Sequence, residues 1–115
     1  MAYPNVRVTN STDYTCTGTV EYASFFCRND DYTVEHDATW EGPPRGVCLV
    51  TKISAVVQTP NGNILATPYT SSGTSYSKFA IIVGERQNEF TVTRITTEQE
   101  EFTLTDYVEP TEQQK

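Results

Sequence analysis

Apolar side chains along this chain of 115 residues recur with period two. Val6 and Val8, then Cys16, Gly18, Val20 and Tyr22, then Leu49, Thr51, Ile53, Ala55 and Val57 put every second side chain on one face, the pattern of a half-buried β-strand. No stretch carries apolar residues at i, i+3 and i+4 over three turns, so no amphipathic helix is offered to cover a sheet. Nineteen threonines and eleven valines against three leucines press the same way, because β-branched side chains fit a pleated surface better than a helix. Asn61-Gly62, between two alternating runs, predicts a hairpin with a type I′ turn. Gly84-Glu85-Arg86-Gln87-Asn88 predicts a second, between residues 79–83 and Phe90/Val92, with Thr91, Thr93 and Arg94 on the other face. Turn clusters recur roughly every 8–14 residues, as in a sandwich rather than in βαβ units. The fold expected is all-β: one antiparallel β-sandwich domain of about seven or eight strands over residues 1–109, then a polar C-terminal tail at 110–115.

Fifteen acidic residues against eight basic ones give a net charge of −7, the wrong sign for nucleic acid, whose affinity comes from Lys and Arg displacing counterions. Residues 96–115 hold Glu98, Glu100, Glu101, Asp106, Glu109 and Glu112 against Lys115, which is −5 of that total. Phe102 and Leu104 alternate with Thr103 and Thr105 there, which predicts a last edge strand at 101–108. The N-terminus has neither the basic nor the apolar region of an export signal, so the expectation is a leaderless chain, cytoplasmic or released by a non-classical route. The longest apolar run, Phe79-Ala80-Ile81-Ile82-Val83, falls far short of the roughly 20 residues a spanning helix needs. Cys16, Cys27 and Cys48 lack zinc or redox-dithiol spacing. Three reduced, buried thiols, a Cys16–Cys27 bridge and a Cys27–Cys48 bridge all remain open. Asn10-Ser11-Thr12 has the form of a glycosylation sequon and reads as an ordinary polar turn.

Little in the chain resembles catalytic machinery. The one histidine, His36, sits between Glu35 and Asp37 as a solvated turn residue, and Gly73-Thr74-Ser75-Tyr76-Ser77 lacks the second glycine of a nucleophile elbow. Asn29, Asp30, Asp31, Glu35 and Asp37 crowd five oxygen-bearing side chains into nine residues, but without the spacing of a calcium-binding loop. No enzyme activity, metal or cofactor is expected. The informative stretch is Pro68-Tyr69-Thr70-Ser71-Ser72-Gly73-Thr74-Ser75-Tyr76-Ser77-Lys78-Phe79. Tyr with Ser and Gly suits recognition, since the ring offers a rigid face with a wet tip and the small residues adapt their hydrogen bonds. An ordinary loop whose tyrosines lean on the sheet fits equally well. Trp40, ahead of the extended Pro43-Pro44 segment, reads either as core or as a ligand-stacking ring.

Gly42-Pro43-Pro44-Arg45-Gly46-Val47, a long strand, Asn61-Gly62, Pro68-Tyr69 and Tyr76-Ser77-Lys78-Phe79 together resemble the middle of the actinoporins. These are sphingomyelin-binding cytolysins of sea anemones, and fungal fruit-body lectins share their β-sandwich. The resemblance implies a non-enzymatic module that binds a membrane-lipid headgroup or a glycan through Pro68, Tyr69, Tyr76 and Phe79, with Phe79 standing where the family has a tryptophan; Trp40 joins them as an aromatic candidate. Pore formation is not implied, because the first strand starts at Val6 and leaves no room for an amphipathic N-terminal helix. The competing expectation is a small protein that self-associates through an edge strand into a homo-oligomer.

Overall fold

Each alternating run between residues 6 and 94 contributes a strand in a computed structural model of the chain, which describes residues 3–24, 26–86 and 88–95. The strands are β1 (Arg7–Asn10), β2 (Cys16–Tyr22), β3 (Asp30–Val34), β4 (Thr39–Glu41), β5 (Val50–Thr59), β6 (Gly62–Leu65), β7 (Tyr69–Thr74), β8 (Lys78–Val83) and β9 (Phe90–Arg94). Nine strands, against the seven or eight expected, arise because short β4 and the separate β6 and β7 each pair. The described residues contain no helix. One sheet runs β4-β1-β8-β9, the other β3-β2-β5-β6, with β7 lying on β5 as well. Their inner faces meet in one core, where Val8, Cys16, Val20, Ile53, Ala55, Val57, Phe79 and Ile81 lose all solvent contact. Each such Val or Ile contributes about 1.5–3 kcal/mol relative to exposure.

Pairing is antiparallel except at two places. β1 runs parallel to β8, Val8 opposite Phe79, and Thr67 makes a single parallel bridge to Thr91. Period-two patterning is the same for both strand directions, so the sequence carries no sign of this. On β5 the alternation holds through Ile53, Ala55 and Val57, but a register shift between Val50 and Lys52 buries Val50 and leaves Leu49 and Thr51 half-exposed. A bulge inserts one residue and reverses the facing of everything before it.

The first hairpin forms with a different turn. Pro60 and Asn61 occupy its centre and only Gly62 has positive φ, +125°; the proline ring holds φ negative and rules out type I′ there. The second hairpin joins β8 to β9. Thr91 and Thr93 face outward as expected, whereas Arg94 lies opposite Phe79 on the inner side, because residues 90, 92 and 94 share a face. The expected strand at 101–108 and the boundary between residues 109 and 110 lie outside the described residues.

Candidate binding surface

Four segments converge at one end of the sandwich: the N-terminal residues 3–6, the β2–β3 loop, the β4–β5 loop and the short β7–β8 connection. Tyr3 N–H donates to the Gly46 carbonyl, Arg7 N–H to that of Ser77 and Gly42 N–H to that of Val6. Cys27 and Cys48 are joined by a disulfide with Cα atoms 6.1 Å apart, so of the three arrangements left open only this bridge forms; Cys16 is a buried free thiol. Beside it Arg45 meets Asp30, which is 8% exposed, with Nε donating to Oδ2 at 3.1 Å and Nη2 to Oδ1. Tyr22 Oη donates to the same Oδ2 at 3.1 Å. The bond to Asp30 raises the Arg45 pKa further, and burial, reinforced by the Asp30 charge, pushes the Tyr22 phenol well above its usual range.

Phe26 and Val47 immediately precede the two half-cystines and stand 82% and 65% exposed. The disulfide therefore presents two apolar side chains at the same end. Charge is sorted as well among the described residues. Arg7, Arg28, Arg45, Lys52, Lys78 and Arg94 belong to this half of the sandwich, against Glu21, Asp30, Asp31 and Glu41, a balance of +2. The other described half has Arg86 against Asp13, Glu35, Asp37, Glu85 and Glu89, which is −4; the remaining −5 of the net charge belongs to residues 96–115. The charge total concealed this separation. The cleft between Tyr3, Tyr22, Arg45 and Tyr76 at this surface has a volume of about 10 Å³, room for one water. A groove of about 470 Å³ at the far end is open and polar, lined by Thr67, Gly84, Glu85, Arg86, Glu89 and Thr91.

The five side chains singled out in the sequence do not form one site. Phe79 has no solvent exposure and is a core residue, which corrects its reading as a ligand contact: it sits on β8 with its ring turned to the opposite sheet. Tyr69 leans on it, ring centroids 4.8 Å apart, and Pro68 is half-buried at the crossover beside the Thr67–Thr91 bridge. The stretch from 69 to 74 is strand β7 rather than a loop. Tyr76 alone reaches the converging end, half-buried, with the Arg94 guanidinium carbon 4.0 Å from its ring centre. Trp40 lies on the opposite flank, against Tyr32 at 5.2 Å and over Gly42, where a Cβ would come within 2.7 Å of its ring. The acidic stretch is spread along β3: Asp30 binds Arg45, Asp31 accepts from Thr19 Oγ1, and Glu35 and Asp37 fall beyond the strand's other end. Phe26 was not singled out in the sequence, and Val47 entered only at the end of the segment Gly42-Pro43-Pro44-Arg45-Gly46-Val47. Their signal was an apolar residue inside a turn cluster, outside the period-two pattern.

No protein-family model, curated protein or solved structure matches this chain.

Proposed function

We propose that this chain is a non-enzymatic recognition module that docks on the lipid headgroups of a membrane surface through the end carrying Phe26 and Val47. The observation behind this reading is that the exposed apolar tips Phe26 and Val47 stand at the end of the described half in which basic side chains outnumber acidic ones. Apolar groups enter the headgroup boundary while Lys and Arg meet anionic lipid, each worth about 1 kcal/mol near such a surface. β5 spans ten residues, roughly 30 Å at about 3.3 Å per residue. The acidic far end thus stands about three Debye lengths away at 0.1 M salt and opposes binding weakly.

Flotation with phosphatidylcholine vesicles, with and without phosphatidylserine, tests the proposal. Phe26→Ser combined with Val47→Ser should abolish flotation at an unchanged thermal midpoint, and Arg28→Glu with Lys78→Glu should remove the phosphatidylserine dependence. Leu65→Ser, at a residue 72% exposed on β6 in the other half, should change nothing. Equal flotation of all variants defeats the reading, and retention on a glycan resin without flotation turns it to a carbohydrate ligand. The opposite charge of the two ends favours a second reading, head-to-tail association of copies, which requires a mass that rises with concentration and falls with added salt.

A further inference from the structure

In the sequon Asn10-Ser11-Thr12 the acceptor Asn10 and Thr12 are buried in the core, and only Ser11 is exposed. Asn10 closes β1 with no solvent exposure, and Thr12 is 1% exposed. Every polar atom of the Asn10 carboxamide is engaged. Nδ2 donates to the Tyr14 carbonyl at 2.6 Å and the Val34 carbonyl at 3.0 Å. Oδ1 accepts from Thr12 N–H at 2.9 Å and Thr12 Oγ1 at 2.7 Å. The Asn10 backbone is held too, its N–H on Ala38 O and its carbonyl accepting from Asp37 N–H. One side chain therefore ties the turn after β1 to the end of β3. Glycosylation consumes an Nδ2 hydrogen, forming a bond from Nδ2 to C1 of the sugar as the bond from C1 to the polyprenyl-diphosphate carrier breaks and one proton leaves. The product keeps one N–H for two carbonyls and adds a bulky polar group where the packing leaves no exit.

We infer that Asn10 is a folding-state-dependent N-glycosylation site: it accepts an oligosaccharide only before β1 and β3 close around it, and a chain so modified cannot reach the native fold. The Cys27–Cys48 bridge gives this weight. A disulfide forms in an oxidising compartment, and along a eukaryotic secretory route that compartment also transfers oligosaccharides to asparagine. Closure of β1 and β3 around Asn10 and its glycosylation then compete for the same nascent chain.

The full chain, native with its disulfide intact or reduced and unfolded, is incubated with a eukaryotic oligosaccharyltransferase and a polyprenyl-diphosphate oligosaccharide and read by mass spectrometry. The Asn63→Thr variant supplies a control, because it makes Asn61 an acceptor on a turn whose residues 61–63 are all exposed. Asn61 should be modified in the native variant. Asn10 should be modified in the unfolded chain and, in the native one, slower by on the order of a hundredfold or more, since access requires opening of a core strand. The purified glycosylated chain should fail to regain protease resistance on oxidative refolding. Native Asn10 modified as fast as Asn61 overturns the inference. So does an unfolded chain left unmodified at Asn10, or a glycosylated chain that refolds to full resistance.

Discussion

Arg45, from the segment leading into β5, and Asp30, the first residue of β3, meet through two hydrogen bonds that lock one loop to the start of a strand. Asp30 is nearly buried, so removing its partner leaves a carboxylate with Tyr22 as its remaining side-chain donor among the described residues. Arg45→Met should cost about 2–4 kcal/mol in urea unfolding. Lysine cannot reproduce the fork, and Arg45→Lys should recover less than half of that. The double variant with Asp30→Asn should be less unstable than the sum of the single changes; strict additivity would mean that the pair contributes nothing.

Cys27 and Cys48 are 21 residues apart in sequence, and closing a loop of that length restricts the unfolded chain. Replacing both with alanine should lower stability by about 3 kcal/mol. The wild-type chain with its bridge reduced should fall to the same midpoint, and an unchanged midpoint in either case would contradict the chain-entropy account.

β2 and β5 approach closely at Gly18, where a Cβ would stand 2.0 Å from the Ser54 carbonyl oxygen and 2.6 Å from Tyr32 Oη. Tyr32 uses that space to donate to Ser54 O at 2.6 Å. Gly18→Ala must push backbone apart and should cost about 3 kcal/mol, the upper end of overpacking. Tyr32→Phe, which loses one hydrogen bond, should cost about 1 kcal/mol. Chemical denaturation of both variants checks the ranking, and a reversed order would refute it.

Burial raises the pKa of Tyr22, Tyr32 and the Cys16 thiol, in each case as the largest cause. Their neutral forms are the ones the fold favours, so the associated stability is complete below the unfolded values, about 8.5 for Cys and about 10 for Tyr. As pH rises past those values the unfolded chain releases protons that the folded chain keeps. Stability should therefore hold to about pH 8 and then fall, steepening to about 1.4 kcal/mol per pH unit for each group fully ionised when unfolded. Tyr32→Phe should flatten the decline above pH 10. A urea midpoint constant from pH 7 to 11 would exclude this linkage. The same burial predicts that Cys16 resists thiol reagents until the chain unfolds.

Strand periodicity is a local property of the backbone, and that much the residues specify on their own. Ile53, Ala55 and Val57 alternate because successive Cβ atoms point to opposite faces, and both hairpins fall where Asn61-Gly62 and residues 84–88 interrupt the pattern. An all-β sandwich follows from these alone. The tertiary structure decided whatever depends on which distant segments become neighbours: the parallel pairing of β1 with β8, the choice of Cys27–Cys48 among three cysteines, and the burial of Phe79, whose flanking residues look the same for a core ring as for an exposed one. It also decided the charge map. Arg7, Arg28, Arg45, Lys52, Lys78 and Arg94 are scattered over 88 positions of sequence, and only strand register brings them to one half, where the described residues present a basic, apolar-tipped end. Alternation reports the face on which a side chain lies. Convergence requires long-range register, which no run of neighbouring residues encodes.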